Sequence, residues 1–368
     1  MSYREIAHST PKFLAAYFGV LLIWMATTAM HIPDGYLSPL TSLVMFLLVL
    51  PFWIIGVRKL RQNINARSVP LIALMAAFSF VIMMFNVPLP GGTTGHAVGA
   101  ALAAILLGPE ITVIAVSIAL IVQSFFFGDG GVLAIGANCF NMAVVIPYFS
   151  YAVYRFFAKN TPLNSPRRLA GAALGAWLGV TVAAFFAAVE FGLQPLLFKA
   201  ADGSPLYAPY PLSISIPAMV IPHALVASVV EAVITVLVLV YLQRSNPAIL
   251  AAAEHPEQNA DLTGVGKLRG LWLALAVLVV VSPLGLLAPG TAWGEWGAAE
   301  LTSMGLKGVP QGMAQLSGLW GAPLADYDLP ALGNASLGYI LSALLGILVI
   351  GIVVWLFSRL LSNPARPH

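Results

Sequence analysis

Ser336-LGYILSALLGILVIGIVVWLF-Ser358 runs for 23 residues without one Asp, Glu, Lys or Arg. About 20 such residues in a helix cross the hydrocarbon core of a bilayer, so this stretch reads as a membrane span. Working outward from it, further apolar stretches lie at 38–57, 70–88, 96–107, 110–127, 139–157, 169–193, 215–243 and 270–289. The 368-residue chain is 60% hydrophobic and 8% charged, where a soluble domain carries about 25% charged residues. That deficit excludes an ordinary water-soluble enzyme, a disordered chain and a coiled coil. Cys139 is the single cysteine. An internal disulfide is therefore excluded, and metal chemistry must use nitrogen and oxygen.

The N-terminus has the form of a secretory signal. Arg4 and Lys12 precede the apolar run Phe13–Trp24, and Thr27 and Ala29 are small residues at the −3 and −1 places of a cut after Ala29. A basic start, a 7–15-residue apolar core and small residues at the cut define such a segment; a retained anchor helix is the alternative. Cleavage would begin the mature chain at Met30, outside the cytoplasm. The loops 57–69, 155–168 and 244–269 and the tail after 358 then face inward. They carry thirteen of the seventeen basic residues, against Lys199 and Lys307 outside. This positive-inside bias fits nine crossings, with the short stretch 96–107 counted as one of them. The net charge of +3 thus reports membrane sidedness and gives no sign of a nucleic-acid partner. The expected organisation is a signal at 1–29, a seven-span unit at 30–245, a cytoplasmic linker at 246–268, a two-span unit at 269–361 and a tail at 362–368. The loop 290–335 is rich in Gly and Pro and has no helical period.

Chemistry concentrates in the polar interruptions. Met30-HIPDGY-Leu37 would open the mature chain. The freed amine of Met30, the amide nitrogen of His31 and its imidazole close adjacent five- and six-membered chelate rings in one plane. A fourth nitrogen completes square-planar coordination, which suits Ni(II) or Cu(II). Asp34 could support the site from behind. His96, after the glycine-rich turn 90–95, is the obvious second imidazole, or else a histidine bonded to backbone at a helix start. Gln123, Asp129, Asn138 and Asn141 cluster around Phe127-GDG-Gly131, serving either as a scaffold for the metal-binding loop or as helix caps and interhelical bonds. His223 and Glu231 lie eight apart in one span and serve either as a relay or as a helix bridge. Glu190 lies near an outer helix end, within reach of the interface.

The stretches 30–39, PGGTTGH at 90–96, FFGDGGVLAIGANCFNM at 126–142 and PHALVASVVEA at 222–232 resemble the CbiM/NikM family. These are substrate-binding S components of energy-coupling-factor (ECF) importers for cobalt and nickel. The likeness covers about 30–245, and the C-terminal unit resembles the small CbiN/NikN accessory subunit (PDGLE type), though without a PDGLE sequence. The resemblance implies an all-α polytopic membrane protein: a seven-helix S-component bundle plus two C-terminal transmembrane helices, after a cleavable signal. It implies Met30, His31 and His96 as the ligands of a transported Co²⁺ or Ni²⁺, with no organic cofactor. Separate CbiQ/NikQ-like coupling and CbiO/NikO-like ATPase subunits would be the partners, in a bacterial or archaeal cytoplasmic membrane. Rival readings are a proton-coupled secondary metal transporter, an intramembrane metalloenzyme and a structural permease subunit. The absence of an HExxH motif tells against the enzyme.

Overall fold

A segment in lipid must satisfy its own backbone hydrogen bonds, and the long apolar runs accordingly form helices. The computed structural model describes residues 31–63, 69–89, 93–254, 265–288, 293–303 and 308–361. Met30, the cleavage site, residues 255–264 of the expected linker, Lys307 and the tail lie outside these residues. The helices are α1 (Pro39–Asn63), α2 (Val69–Met83), α3 (Ala100–Leu107), α4 (Pro109–Val122), α5 (Ile135–Asn138), α6 (Ile146–Ala158) and α7 (Pro166–Leu197). They continue with α8 (Leu212–Pro222), α9 (Ser228–Ser245), α10 (Pro247–Glu254), α11 (Val265–Val281), α12 (Ala298–Ser303), α13 (Gln311–Leu316) and α14 (Ala335–Leu361). A small antiparallel hairpin, β1 (Val87–Leu89) with β2 (Thr93–Gly95), pairs Pro88 with Thr94.

Six of the described helical segments are long and apolar enough to cross a membrane: 39–62, 109–127, 166–197, 212–245, 268–287 and 335–361. The chain is an all-α, multi-pass membrane protein. Segment 109–127 is 78% buried within the protein and 39–62 only 22%, so α4 is central while α1 shows Leu40, Leu43, Leu47 and Ile54 to the surroundings. Exposed leucines and valines on α9, α11 and α14 are lipid-facing surface, as expected where the solvent is hydrocarbon.

Three apolar stretches differ from their sequence reading. The stretch 96–107, expected to cross, forms only the eight-residue α3, about 12 Å long at 1.5 Å per residue. It is enclosed by protein, with Ala100, Ala101, Ala103 and Ala104 fully buried. The stretch 70–88 is helical for 15 residues, then turns into β1. The stretch 139–157 opens with a π-helical turn, Cys139–Val145, before α6. The expected linker also begins with packed structure. Ile249 and Leu250 of α10 are buried, and Glu254 makes an ion pair with the buried Arg168 of α7.

The C-terminal helices α11 and α14 pack on α2, where Tyr339 donates to the Met84 carbonyl at 2.8 Å. The connection between them, expected to be irregular over 290–335, holds among its described residues the short helices α12 and α13 and three 3₁₀ segments, Ser282–Leu287, Ala325–Tyr327 and Pro330–Leu332. It folds back over the start of α1: Tyr36 donates to the Trp296 carbonyl at 2.7 Å, and the Met313 amide donates to the Leu206 carbonyl at 3.2 Å.

Candidate metal centre

His31 through Ser38 make a buried turn leading into α1, and their polar groups are met one by one from the 129–138 loop. The Ile32 amide donates to Asn138 Oδ1 at 3.0 Å, and Asn138 Nδ2 returns a bond to the Ile32 carbonyl at 3.1 Å. The Gly131 amide donates to the same carbonyl at 2.9 Å. Asp34 accepts from the amides of Val132 (3.0 Å) and Leu133 (2.8 Å). Burial lifts its carboxyl above the usual range, against the pull of those backbone donors. Close docking of the two loops depends on Gly130, whose φ is +92° and whose added Cβ would lie 2.9 Å from the His31 Cβ. That is the physical reason for glycine within GDGG.

His31 is 2% exposed. Its Nδ1 lies 2.8 Å from Asp129 Oδ1, and its Nε2 is buried without a partner. The planar chelate read from the sequence needs Nδ1, which the structure gives to Asp129. His96 follows directly after β2; its ring centroid is 5.1 Å from that of His31, at 80°. His96 Nδ1 lies 3.0 Å from the Ala97 carbonyl. Only a protonated Nδ1 can donate there, so neutral His96 carries its lone pair on Nε2.

Both imidazoles line a cavity of about 80 Å³, together with Thr94, Asn138, Asn141, His223 and Glu295. Its apolar wall is Val180, Ala183, Ala184 and Ala187 of α7, with Met219 and Phe191. Small residues there leave the space. Three π-helical turns surround it: Gln123–Phe127, Cys139–Val145 and His223–Ala227. Such turns recur at functional sites because they rotate side chains off the regular helical register. The polar residues around these turns meet different partners. Asn138 faces the 31–38 turn, while Asn141 donates to Glu190 at 3.1 Å. His223 lines the cavity with Nδ1 on the Met219 carbonyl at 2.7 Å. Glu231 is away from the cavity and accepts from the amides of Val98 (2.7 Å), Gly99 (2.9 Å) and Ala101 (3.2 Å). It caps α3 and bridges to α9.

Among the described residues no three His, Cys, Asp or Glu side chains are grouped to hold a metal ion. Met30 lies outside those residues. Sequence reading missed three contributors. Glu190, expected at the interface, is 6% exposed and holds Asn141. Glu295 brings a carboxylate into the cavity from the C-terminal unit; its Oε2 is buried without a partner, and burial raises its pKa well above the carboxylate range. Tyr327 donates to Asp129 Oδ2 at 2.6 Å. Only Glu190 carried any signal, as an acid in an apolar run. The other two sit in a loop with no periodicity.

The family described as cobalt uptake substrate-specific transmembrane region (CbiM) matches residues 31–249, and the PDGLE domain matches 268–363. A fused nickel transport protein NikMN of Rhodobacter capsulatus is 50% identical, covering 87% of this chain and 95% of the relative. A probable fused nickel transport protein LarMN of Lactiplantibacillus plantarum is 42% identical over the same shares. A crystal structure of a transition metal transporter shares 45% identity with a TM-score of 0.57, covering 63% of this chain and all of the other. The chain is a transport component, not an enzyme, and it belongs to the CbiM family, with a PDGLE domain following the family region.

Proposed function

We propose that the chain is the substrate-capture component of an ECF-type importer for Co²⁺ or Ni²⁺, binding the ion at the extracytoplasmic side through nitrogen ligands. The ligand set is the amine of Met30, the amide and imidazole of His31, and the imidazole of His96. Asp34, Asp129, Asn138 and Gln123 hold those groups in place. The observation that carries this is the pair of buried imidazoles facing one cavity, with ring centroids 5.1 Å apart. His96 has Nδ1 on the Ala97 carbonyl, so its Nε2 lone pair is the one offered to a cation. Two imidazoles do not complete a transition-metal shell, so the backbone nitrogens of the freed terminus supply the remainder. In the chelated arrangement, Nδ1 of His31 exchanges Asp129 for the ion.

The sidedness follows from where the charges lie. The cavity is lined just before α1 (His31, Ile32), at the end of α5 and start of α6 (Asn138, Ile146), along the later part of α7 (Val180 to Phe191) and just before α9 (His223). Arg58, Lys59, Arg61, Arg155, Arg168 and Arg244 stand at the opposite ends of α1, α6, α7 and α9. Under the positive-inside rule the site is extracytoplasmic. Hydrolysis of ATP then falls to separate CbiO/NikO-like subunits, joined through a CbiQ/NikQ-like subunit.

N-terminal sequencing of the membrane-purified chain, with metal quantified on the same sample, tests the reading. The expected result is a start at Met30 and close to one Ni²⁺ or Co²⁺ per chain. A chain that keeps residues 1–29 yet binds tightly removes the amine from the site. Glu295→Gln is expected to weaken capture roughly tenfold with the fold intact. A unit charge near a cation is worth several kcal/mol at an effective dielectric of about 20, before desolvation is subtracted. Metal titration of the variant in detergent checks it, and parent affinity would remove Glu295 from the site.

A further inference from the structure

The seam between the C-terminal unit and α2 is open at one end. Helix α2 packs against both α11 and α14, yet a lateral groove of about 350 Å³ lies among the three, within the range of small-molecule sites at roughly 300–1,000 Å³. We propose that this groove holds an acyl chain of an anionic phospholipid from the leaflet farther from the metal cavity, with Arg269 and Arg359 at its headgroup. Under the sidedness argued above this is the cytoplasmic leaflet. The proposal does not depend on the ligands of the metal.

Small residues make the space. Ala73 and Ala77, one turn apart, line the groove from α2, and Gly351 lines it from α14, where an added Cβ would meet nothing within 4 Å. Gly346, nearer the metal side of the same helix, differs: an added Cβ there would run into the Phe80 ring. Beyond it Tyr339 closes the seam on the Met84 carbonyl at 2.8 Å. The groove therefore runs along α14 only from Ile347 to Trp355, about 12 Å at 1.5 Å per residue. One leaflet contributes about 15 Å of the hydrocarbon core, so the length suits a lipid tail within one leaflet. A partner's spanning helix would need a groove of about 30 Å.

The mouth supplies the charge. Trp272 of α11 and Trp355 of α14 wall the groove, and tryptophans of membrane proteins favour headgroup level. Each has an arginine one turn nearer the end of its helix. Arg269 lies three residues before Trp272 and Arg359 four after Trp355, spacings that share a helix face. The Arg359 guanidinium lies 4.7 Å from the Trp355 ring centroid, which places it beside the groove. Both arginines are exposed, and Arg58, Lys59 and Arg61 stand at the same side of the membrane at the end of α1. No Asp or Glu occurs in 58–63, 69–77, 268–272 or 351–361. A basic pocket between spanning helices is the kind of site that binds an anionic headgroup, and guanidinium groups match the geometry of phosphate. Membrane sidedness alone accounts for arginines at these ends, but not for a groove that small residues keep open beside them.

The test uses the full-length chain reconstituted in vesicles of phosphatidylglycerol and phosphatidylcholine in equal parts. The chain is re-extracted in mild detergent, and the retained lipid is identified and counted by mass spectrometry. The expected result is close to one phosphatidylglycerol per chain. Its preference over phosphatidylcholine should be roughly 30-fold, the effect of two basic residues at a charged membrane surface. Arg269→Gln combined with Arg359→Gln is expected to remove that preference. Gly351→Phe, which fills the groove from a position with room for a side chain, is expected to lose both lipids. Thermal unfolding in phosphatidylcholine alone should match the parent in both variants, showing the fold intact. Equal retention of the two lipids by the parent overturns the proposal. So does a preference unchanged in the arginine variant, or retention unchanged in Gly351→Phe. A parent that retains no phosphatidylglycerol overturns it as well; if Gly351→Phe then blocked co-purification of a coupling subunit, the groove would belong to a protein helix.

Discussion

His96→Ala is expected to lower Ni²⁺ or Co²⁺ affinity by more than about 100-fold while leaving insertion and yield unchanged. Removing a partner one bond behind a ligand already costs roughly 10–100-fold, and a ligand itself must cost more. The structure makes His96 the cleaner of the two histidines to replace. Its Nδ1 bonds the carbonyl of the adjacent Ala97, so that bond ties no distant parts of the fold together. His31→Ala should lose binding to a similar degree, but it also strips Asp129 Oδ1 of a buried donor at 2.8 Å and so carries a folding penalty. Equilibrium dialysis of both variants, beside thermal unfolding without metal, separates the two effects. Tight binding retained in both variants would remove the histidines from the site.

The two halves of the site were unequally legible in the sequence. Met30-HIPDGYL and FGDGG stand out because turn-forming polar residues are conspicuous in a chain with 8% charge, and each belongs to a local turn whose residues act together. Asp34, Asp129 and Asn138 could be picked out for that reason, although their partners could not be known. The span of 96–107 was misjudged because hydropathy does not distinguish a helix enclosed by protein from one facing lipid. Ala100, Ala103 and Ala104 are apolar either way. His223 and Glu231 share one span in the sequence, but with the π turn at 223–227 opening that stretch only His223 lines the cavity. Tyr327 and Glu295 had no local signal, since their roles exist only once the connection between α11 and α14 folds over α1. Contacts of such separation are set by tertiary packing.

Glu231→Ala is expected to destabilise the fold by about 3 kcal/mol or more and to abolish metal binding with it. The carboxylate accepts three amides at the start of α3, two on Oε2 and one on Oε1. Each buried donor left unpaired costs about 1–3 kcal/mol, and Glu231 itself is fully buried, where water cannot substitute. The amides of Val98 and Gly99 lie two and three residues beyond His96, so the same loss frees the segment that aims the imidazole. Glu231→Gln keeps the shape and one acceptor oxygen but turns an NH₂ group toward a backbone N–H. It should therefore fall between the parent and Glu231→Ala in both stability and affinity. A proton-relay role predicts another pattern. There, Glu231→Gln would match Glu231→Ala in lost transport while both retained parent stability and parent metal affinity. Thermal unfolding and metal titration of the three chains distinguish the cases. The geometry favours the cap, because all three amides are already committed to this side chain, and a group that must exchange protons cannot release them without exposing the start of α3.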